Sequence, residues 1–98
     1  MQNTIIYVDM DNTLCDYNEG FARHQAKYPK LKYPQSVPGL YISLNPLLNA
    51  IETFSWLMDH PRFETYILTA PSLKNPHCYS EKRIWVEEHL GFEAVKRL

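Results

Sequence analysis

Two carboxylates one residue apart, Asp9 and Asp11, follow directly on the run Thr4-Ile5-Ile6-Tyr7-Val8. A carboxylate nucleophile beside a carboxylic acid can run covalent phosphoryl transfer. Asp9 would attack phosphorus to form an aspartyl-phosphate. Asp11 would protonate the leaving oxygen and then deprotonate the water that hydrolyses the intermediate. Mg²⁺ is the expected cofactor, because a hard dication screens carboxylate and phosphate charges together. Side chains alternate along an extended strand, so Asp9 and Asp11 share a pocket only if the backbone turns after Asp9. Asn12-Thr13 is compatible with such a turn. The competing reading is a plain turn with solvated acids, since two acids at this spacing recur by chance.

Further groups suit a phosphate. Thr69 closes the apolar stretch Phe63–Thr69, and its hydroxyl can donate to a phosphate oxygen. Taken alone, it is an ordinary β-former. Lys82 falls in the first turn of a predicted helix, where the helix dipole disfavours a cation unless an anion is near. Its bland reading is a solvated surface lysine. Lys74, in the loop before that helix, is a weaker candidate.

The elements that must hold these groups are readable in outline. Residues 4–9 read as a buried β-strand. Asp16-Tyr17-Asn18-Glu19 resembles a capping box that opens a helix over about 17–28, with Tyr17, Phe21, His24/Gln25 and Tyr28 on one face and Pro29 at its end. Residues 29–42, rich in proline and tyrosine, are irregular. Asn45-Pro46 predicts a helix start, continued by Leu47, Leu48, Ile51, Phe54, Leu57 and Met58 and stopped by His60-Pro61. Phe63–Thr69 is a second strand. Ser80 is expected to cap a helix over about 81–90 that Gly91 closes, and the tail 92–98 either starts another strand or frays. This order predicts an α/β layer architecture with a parallel sheet. Two strands alone make a marginal one.

Ninety-eight residues with 45% hydrophobic and 13% aromatic content give a single domain with a real core rather than a disordered chain. A net charge of −1 predicts no general attraction to nucleic-acid polymers or anionic membranes. No stretch is apolar enough to span a bilayer, and the N-terminus enters a strand without a basic signal-peptide start. Cys15 and Cys78 lack metal-site spacing and are expected as free thiols in a reducing, cytoplasmic compartment. His77-Cys78 does not make a zinc site, because no second Cys/His cluster accompanies it.

Three segments carry a family resemblance: Val8–Phe21 (VDMDNTLCDYNEGF), Leu68–Lys82 (LTAPSLKNPHCYSEK) and Trp85–Gly91 (WVEEHLG). Asp9-Met10-Asp11-Asn12-Thr13-Leu14 resembles motif I of the haloacid dehalogenase (HAD) superfamily, and Ile67-Leu68-Thr69 resembles its motif II. More narrowly, the chain resembles the 5′(3′)-deoxyribonucleotidases and their bacterial relatives. The resemblance implies a HAD-like Rossmannoid core, three-layer α/β/α on a parallel sheet. It places a small helical cap at about 17–45 within one partial domain, 1–98. It implies Mg²⁺-dependent dephosphorylation of nucleoside monophosphates. Asp9 would be nucleophile and metal ligand. Asp11 would be acid/base and a metal ligand through its carbonyl. Thr69 and Lys82 would hold phosphate, and Tyr17 falls where the family often sets an aromatic ring against the nucleobase. A core or staple role for Tyr17 is the alternative.

Two departures stand out. Ala70 replaces the second hydroxyl residue common after the motif II threonine. The acidic pair of motif IV, expected from a later strand, has no counterpart, since no Asp follows Asp59. The C-terminal part of the core is therefore expected to be missing. The alternative reading is a truncated, catalytically incompetent homologue that binds or oligomerises, as a homo-oligomer through its unfinished sheet edge.

Overall fold

The computed structural model describes residues 3–98. Strand β1 (Thr4–Val8) pairs in parallel with β2 (Phe63–Ile67), in the register Thr4↔Phe63 through Val8↔Ile67. Between them come helix α1 (Tyr17–Lys27), a 3₁₀ turn (Pro34–Ser36) and helix α2 (Ala50–Asp59). Helices α3 (Cys78–Leu90) and α4 (Phe92–Val95) follow. The chain is a small α/β domain with a two-stranded parallel sheet. Its radius of gyration, 14.5 Å, exceeds the roughly 13 Å of a compact chain this long, because the molecule extends 54 Å along its longest axis.

The strands hold their predicted places but not the predicted burial. Ile5 and Tyr7 are 51% and 63% exposed. No strand lies on the far side of β1 among the described residues, and the face carrying Ile5 and Tyr7 is uncovered. The opposite face packs on α2, where Thr65 Oγ1 donates to the Leu57 carbonyl at 3.2 Å. The other edge of β2 is partly occupied. Leu68 N–H donates across to Val8 O, and the preceding amide, Ile67 N–H, donates the other way to Arg97 O at 2.7 Å. The tail is thus neither strand nor frayed. It forms α4 and then meets the edge of β2 at Ile67.

Helix α1 begins as predicted, with Asp16 Oδ1 accepting from Glu19 N–H. Glu19 itself turns outward to Arg23 rather than back to the cap. Gly20 is the buried position of this helix, and a Cβ there would collide with the Leu44 side chain. The glycine lets the chain around Leu44 lie against the helix backbone.

Two helix starts differ from expectation. Asn45-Pro46 does not open a helix, because its backbone is used elsewhere: Asp16 N–H donates to Asn45 O and Leu47 N–H to Leu14 O. Helix α2 starts at Ala50 after Asn49, which sits at φ +64°. Ser80 does not cap α3, which begins two residues earlier. The N-cap is His77, which makes no side-chain cap bond, and a turn at Asn75 leads into the helix, its Oδ1 accepting from His77 N–H and its carbonyl from Cys78 N–H. Gly91 closes α3 at φ +92°, as its type predicted.

Candidate active site

The loop after β1 turns as two acids one residue apart require. Thr13, Leu14 and Cys15 amides all converge on the Met10 carbonyl, and Asn12 N–H donates to Cys15 O. Asn12 takes φ +59°, a left-handed conformation that asparagine tolerates. Its side chain is clamped to α1 by a reciprocal pair, Asn18 N–H to Asn12 Oδ1 and Asn12 Nδ2 to Asn18 Oδ1. Met10, Leu14 and Cys15 point into the core and leave Asp9 and Asp11 toward the sheet's C-terminal end. That is where open α/β sheets place their chemistry.

Lys82 is the centre of the constellation. It is fully buried, not a solvated surface lysine, and it lies in the second turn of α3. Its Nζ donates to Thr69 Oγ1 at 2.7 Å, to Ala70 O at 2.8 Å and to Asp11 Oδ2 at 3.2 Å. These partners engage all three ammonium donors. Three of the predicted residues, Asp11, Thr69 and Lys82, therefore meet. Ala70, noted for its missing hydroxyl, supplies a carbonyl instead.

Asp9 is exposed and accepts from its own Met10 N–H at 2.8 Å. No hydrogen bond ties it to Asp11, Thr69 or Lys82 among the described residues. Tyr17 stacks on Tyr41 with ring centroids 5.9 Å apart, and the Lys82 ammonium lies 5.3 Å from the Tyr41 ring. Burial pushes the Tyr17 phenol above its ordinary range, opposed by a hydrogen bond with Tyr41 and helped by Asp11. Lys74 does not join the cluster; its ammonium lies 4.5 Å from the ring of Tyr33.

Sequence reading missed the residues that hold residues 35–44 over this cluster. Glu81, 8% exposed, accepts from Gly39 N–H at 2.9 Å and Ile42 N–H at 3.2 Å. Asn75 Nδ2 donates to Gln35 O and Val37 O, and Trp85 Nε1 to Leu44 O at 2.7 Å. The i, i+4 spacing of Glu81 and Trp85 was the available signal, one face of α3 with Cys78 and Lys82. Replacing Glu81 with Ala is expected to lower unfolding stability by about 1 to 3 kcal/mol, since two backbone donors lose their acceptor. Urea unfolding reads this directly, and a change below about 0.5 kcal/mol would mean that the clamp is not structural.

Cys15 was also missed as a neighbour of the site. Its thiol lies 3.7 Å from Asp11 Oδ1. Burial, with the Asp11 charge next, pushes its pKa up from 9.0 to about 12. The neutral thiol is thus favoured by the fold. This contribution to stability is fully present below pH 9 and is lost as pH rises toward 12. Cys15 is expected to resist alkylation at pH 8 in the native protein and to react in urea. Equal rates in both conditions would contradict its burial.

Asp9 and Asp11 offer oxygen donors only, which suits Mg²⁺, a cation that takes one or two carboxylates and keeps several waters. Among the described residues no group of three or more His, Cys, Asp or Glu is placed to hold a metal ion. With the Asp11 carboxylate engaged by Lys82, the donor set that fits magnesium is the Asp9 carboxylate with the Asp11 backbone carbonyl.

No protein-family model matches the chain. It is 37% identical over 97 residues to a protein of Vibrio phage KVP40 provisionally named a 5′(3′)-deoxyribonucleotidase. That match takes 96% of this chain and 55% of the phage protein. It is 39% identical over 61 residues to the human cytosolic 5′(3′)-deoxyribonucleotidase, covering 62% of this chain and 30% of the enzyme. The mouse mitochondrial 5′(3′)-deoxyribonucleotidase is 26% identical over 122 aligned positions, covering 95% of this chain and 56% of that protein. The alignment is longer than the 98 residues here, so the mouse protein carries insertions relative to this chain. The chain spans about half the length of the phage and mouse relatives.

Proposed function

We propose, from this chain's homology to the 5′(3′)-deoxyribonucleotidases of the HAD family over most of its length, that its site hydrolyses phosphomonoesters of (deoxy)nucleoside monophosphates. The observation that carries this reading is the convergence of Asp11, Thr69 and buried Lys82 beside Asp9 at the end of parallel strands. The HAD-like Rossmannoid core, with 17–45 as a cap, belongs to the same proposal.

In this reading an Asp9 carboxylate oxygen attacks phosphorus. The bond from phosphorus to the ester oxygen breaks, its electron pair leaves with that oxygen, and Asp11, entering this step as its carboxylic acid, supplies the proton. Asp11 then takes a proton from water, the water oxygen attacks phosphorus, and the Asp9–phosphorus bond breaks to restore the carboxylate. Lys82 fixes the Asp11 carboxyl through Oδ2 and the Thr69 hydroxyl through Oγ1, so both are set before substrate arrives. An incoming phosphate would compete for Lys82 donors now given to Asp11 and Ala70. Tyr17, stacked on Tyr41, would face the nucleoside. Mg²⁺, held by Asp9 and Asp11, would neutralise phosphate charge.

Turnover of a panel of nucleoside monophosphates with and without Mg²⁺ tests the proposal. Release of phosphate that needs Mg²⁺ supports it, and none from any substrate sinks catalysis by this chain alone. A second reading, a binding or oligomerising module, is favoured by one observation: the uncovered β1 edge beside exposed Ile5 and Tyr7. Sedimentation as a strict monomer would count against it.

A further inference from the structure

Net charge conceals a segregation. Between Glu19 and Glu52 the chain has no acidic residue, yet Arg23, Lys27, Lys30 and Lys32 fall there, in a protein whose total is −1. The structure gathers part of this charge on one surface. Lys27, Tyr28, Pro29, Lys30 and Leu31 border a shallow depression open to solvent. Next to it in the chain, Tyr33 carries two ammonium groups on one ring, Lys32 at 5.4 Å and Lys74 at 4.5 Å from its centroid, while Lys27 lies 5.4 Å from the Tyr28 ring. Tyr28 and Tyr33 are 39% and 37% exposed. Among the described residues none of Lys27, Lys30, Lys32 or Lys74 forms a salt bridge.

Unpaired lysines sharing a ring repel one another, and an anion with several charges relieves that repulsion. Lysines interleaved with exposed aromatic rings match one ligand in particular, since backbone phosphates take the ammonium groups and unstacked bases take the rings. A duplex would leave the tyrosines idle, and a mononucleotide has one phosphate for four lysines. We propose that the Lys27–Tyr33 surface, with Lys74, binds single-stranded nucleic acid. Whole-chain charge predicts no such affinity because it averages this patch with the acidic remainder.

Fluorescence anisotropy of the 98-residue chain with a labelled oligothymidylate of about 15 nucleotides tests the proposal. The expected dependence of log K on log salt has a slope of about −3, for four phosphates neutralised on a single strand. The double variant Lys30→Glu/Lys32→Glu lowers affinity more than about tenfold, while Arg83→Gln on α3 changes it less than about twofold. Tyr33→Ala lowers affinity about fivefold and leaves the slope in place. These side chains are exposed, and circular dichroism confirms that each variant is folded. A slope near zero overturns the proposal. So does equal affinity for polyglutamate, which would assign the patch to acidic protein. So does displacement by equimolar thymidine monophosphate, which would make it a substrate-gathering surface. The measurement needs neither Mg²⁺ nor turnover, so its outcome is separate from that of the phosphatase reading.

Discussion

Replacing Asp9 with Asn is expected to reduce phosphate release by on the order of 10³-fold or more, with unfolding stability changed by less than about 0.5 kcal/mol. The two halves of this expectation rest on different observations. Asp9 is exposed and, among the described residues, its one hydrogen bond is from the next residue's amide, which an Asn Oδ1 accepts equally well. The side chain therefore contributes little to folding. As the attacking atom, however, an amide oxygen is a far poorer nucleophile than a carboxylate and cannot leave as one. Steady-state release of phosphate, with urea unfolding of both proteins, checks the pair of claims. Equal turnover in variant and parent would remove Asp9 from the chemistry. A large loss of stability would make it structural.

Lys82 is expected to behave in the opposite way. Lys82→Met keeps most of the buried stem but removes the ammonium, leaving the Asp11 carboxylate and the Ala70 carbonyl without their donor. Breaking a buried ion pair by removing one partner costs about 3 to 5 kcal/mol. The Asp11 side chain is 31% exposed, so water offsets part of this, and a loss of about 2 to 4 kcal/mol is expected. Pairing the change with Asp11→Asn in a double-mutant cycle isolates the Asp11–Lys82 coupling from the Thr69 and Ala70 bonds. A single-variant loss below about 1 kcal/mol would show that the buried ammonium is not what joins β1, β2 and α3. Binding of phosphate should fall in the same variant, because Thr69 loses the group that orients its hydroxyl.

The two residues differ in how much of their placement could be read in advance. Asp9 and Asp11 were legible as candidates at a strand end because the signal is local: an apolar run, two acids, and turn-forming Asn12 and Thr13 lie within ten residues. Thr69 was legible from the end of a second β-rich run, although β2 itself stops at Ile67. Lys82 was legible as a candidate, but its burial was not. Nothing in Ser80-Glu81-Lys82-Arg83 distinguishes a lysine with no exposed surface from its exposed neighbour Arg83. The helix boundaries at Asn45-Pro46 and Ser80 failed for one reason. Propensity at a candidate cap is about 1 kcal/mol, and pairing of Asp16 and Leu47 amides, or the turn that Asn75 holds at His77 and Cys78, outweighs it.

By itself the sequence determined the β1 acid loop, the two strands and their parallel order, and the helix periodicity behind them. Each of these rests on interactions within a few residues or on alternation of apolar side chains. Only the tertiary structure decided which distant groups meet. Lys82 reaches Asp11 across 71 positions, Glu81 reaches Gly39 across 42, and Trp85 reaches Leu44 across 41. The burial of a charge is set by the whole packing around it, since an ammonium leaves water only where several oxygens are already fixed to receive it. The exposed side of β1 was decided in the same way, because a strand that reads as buried stays open unless another element covers it.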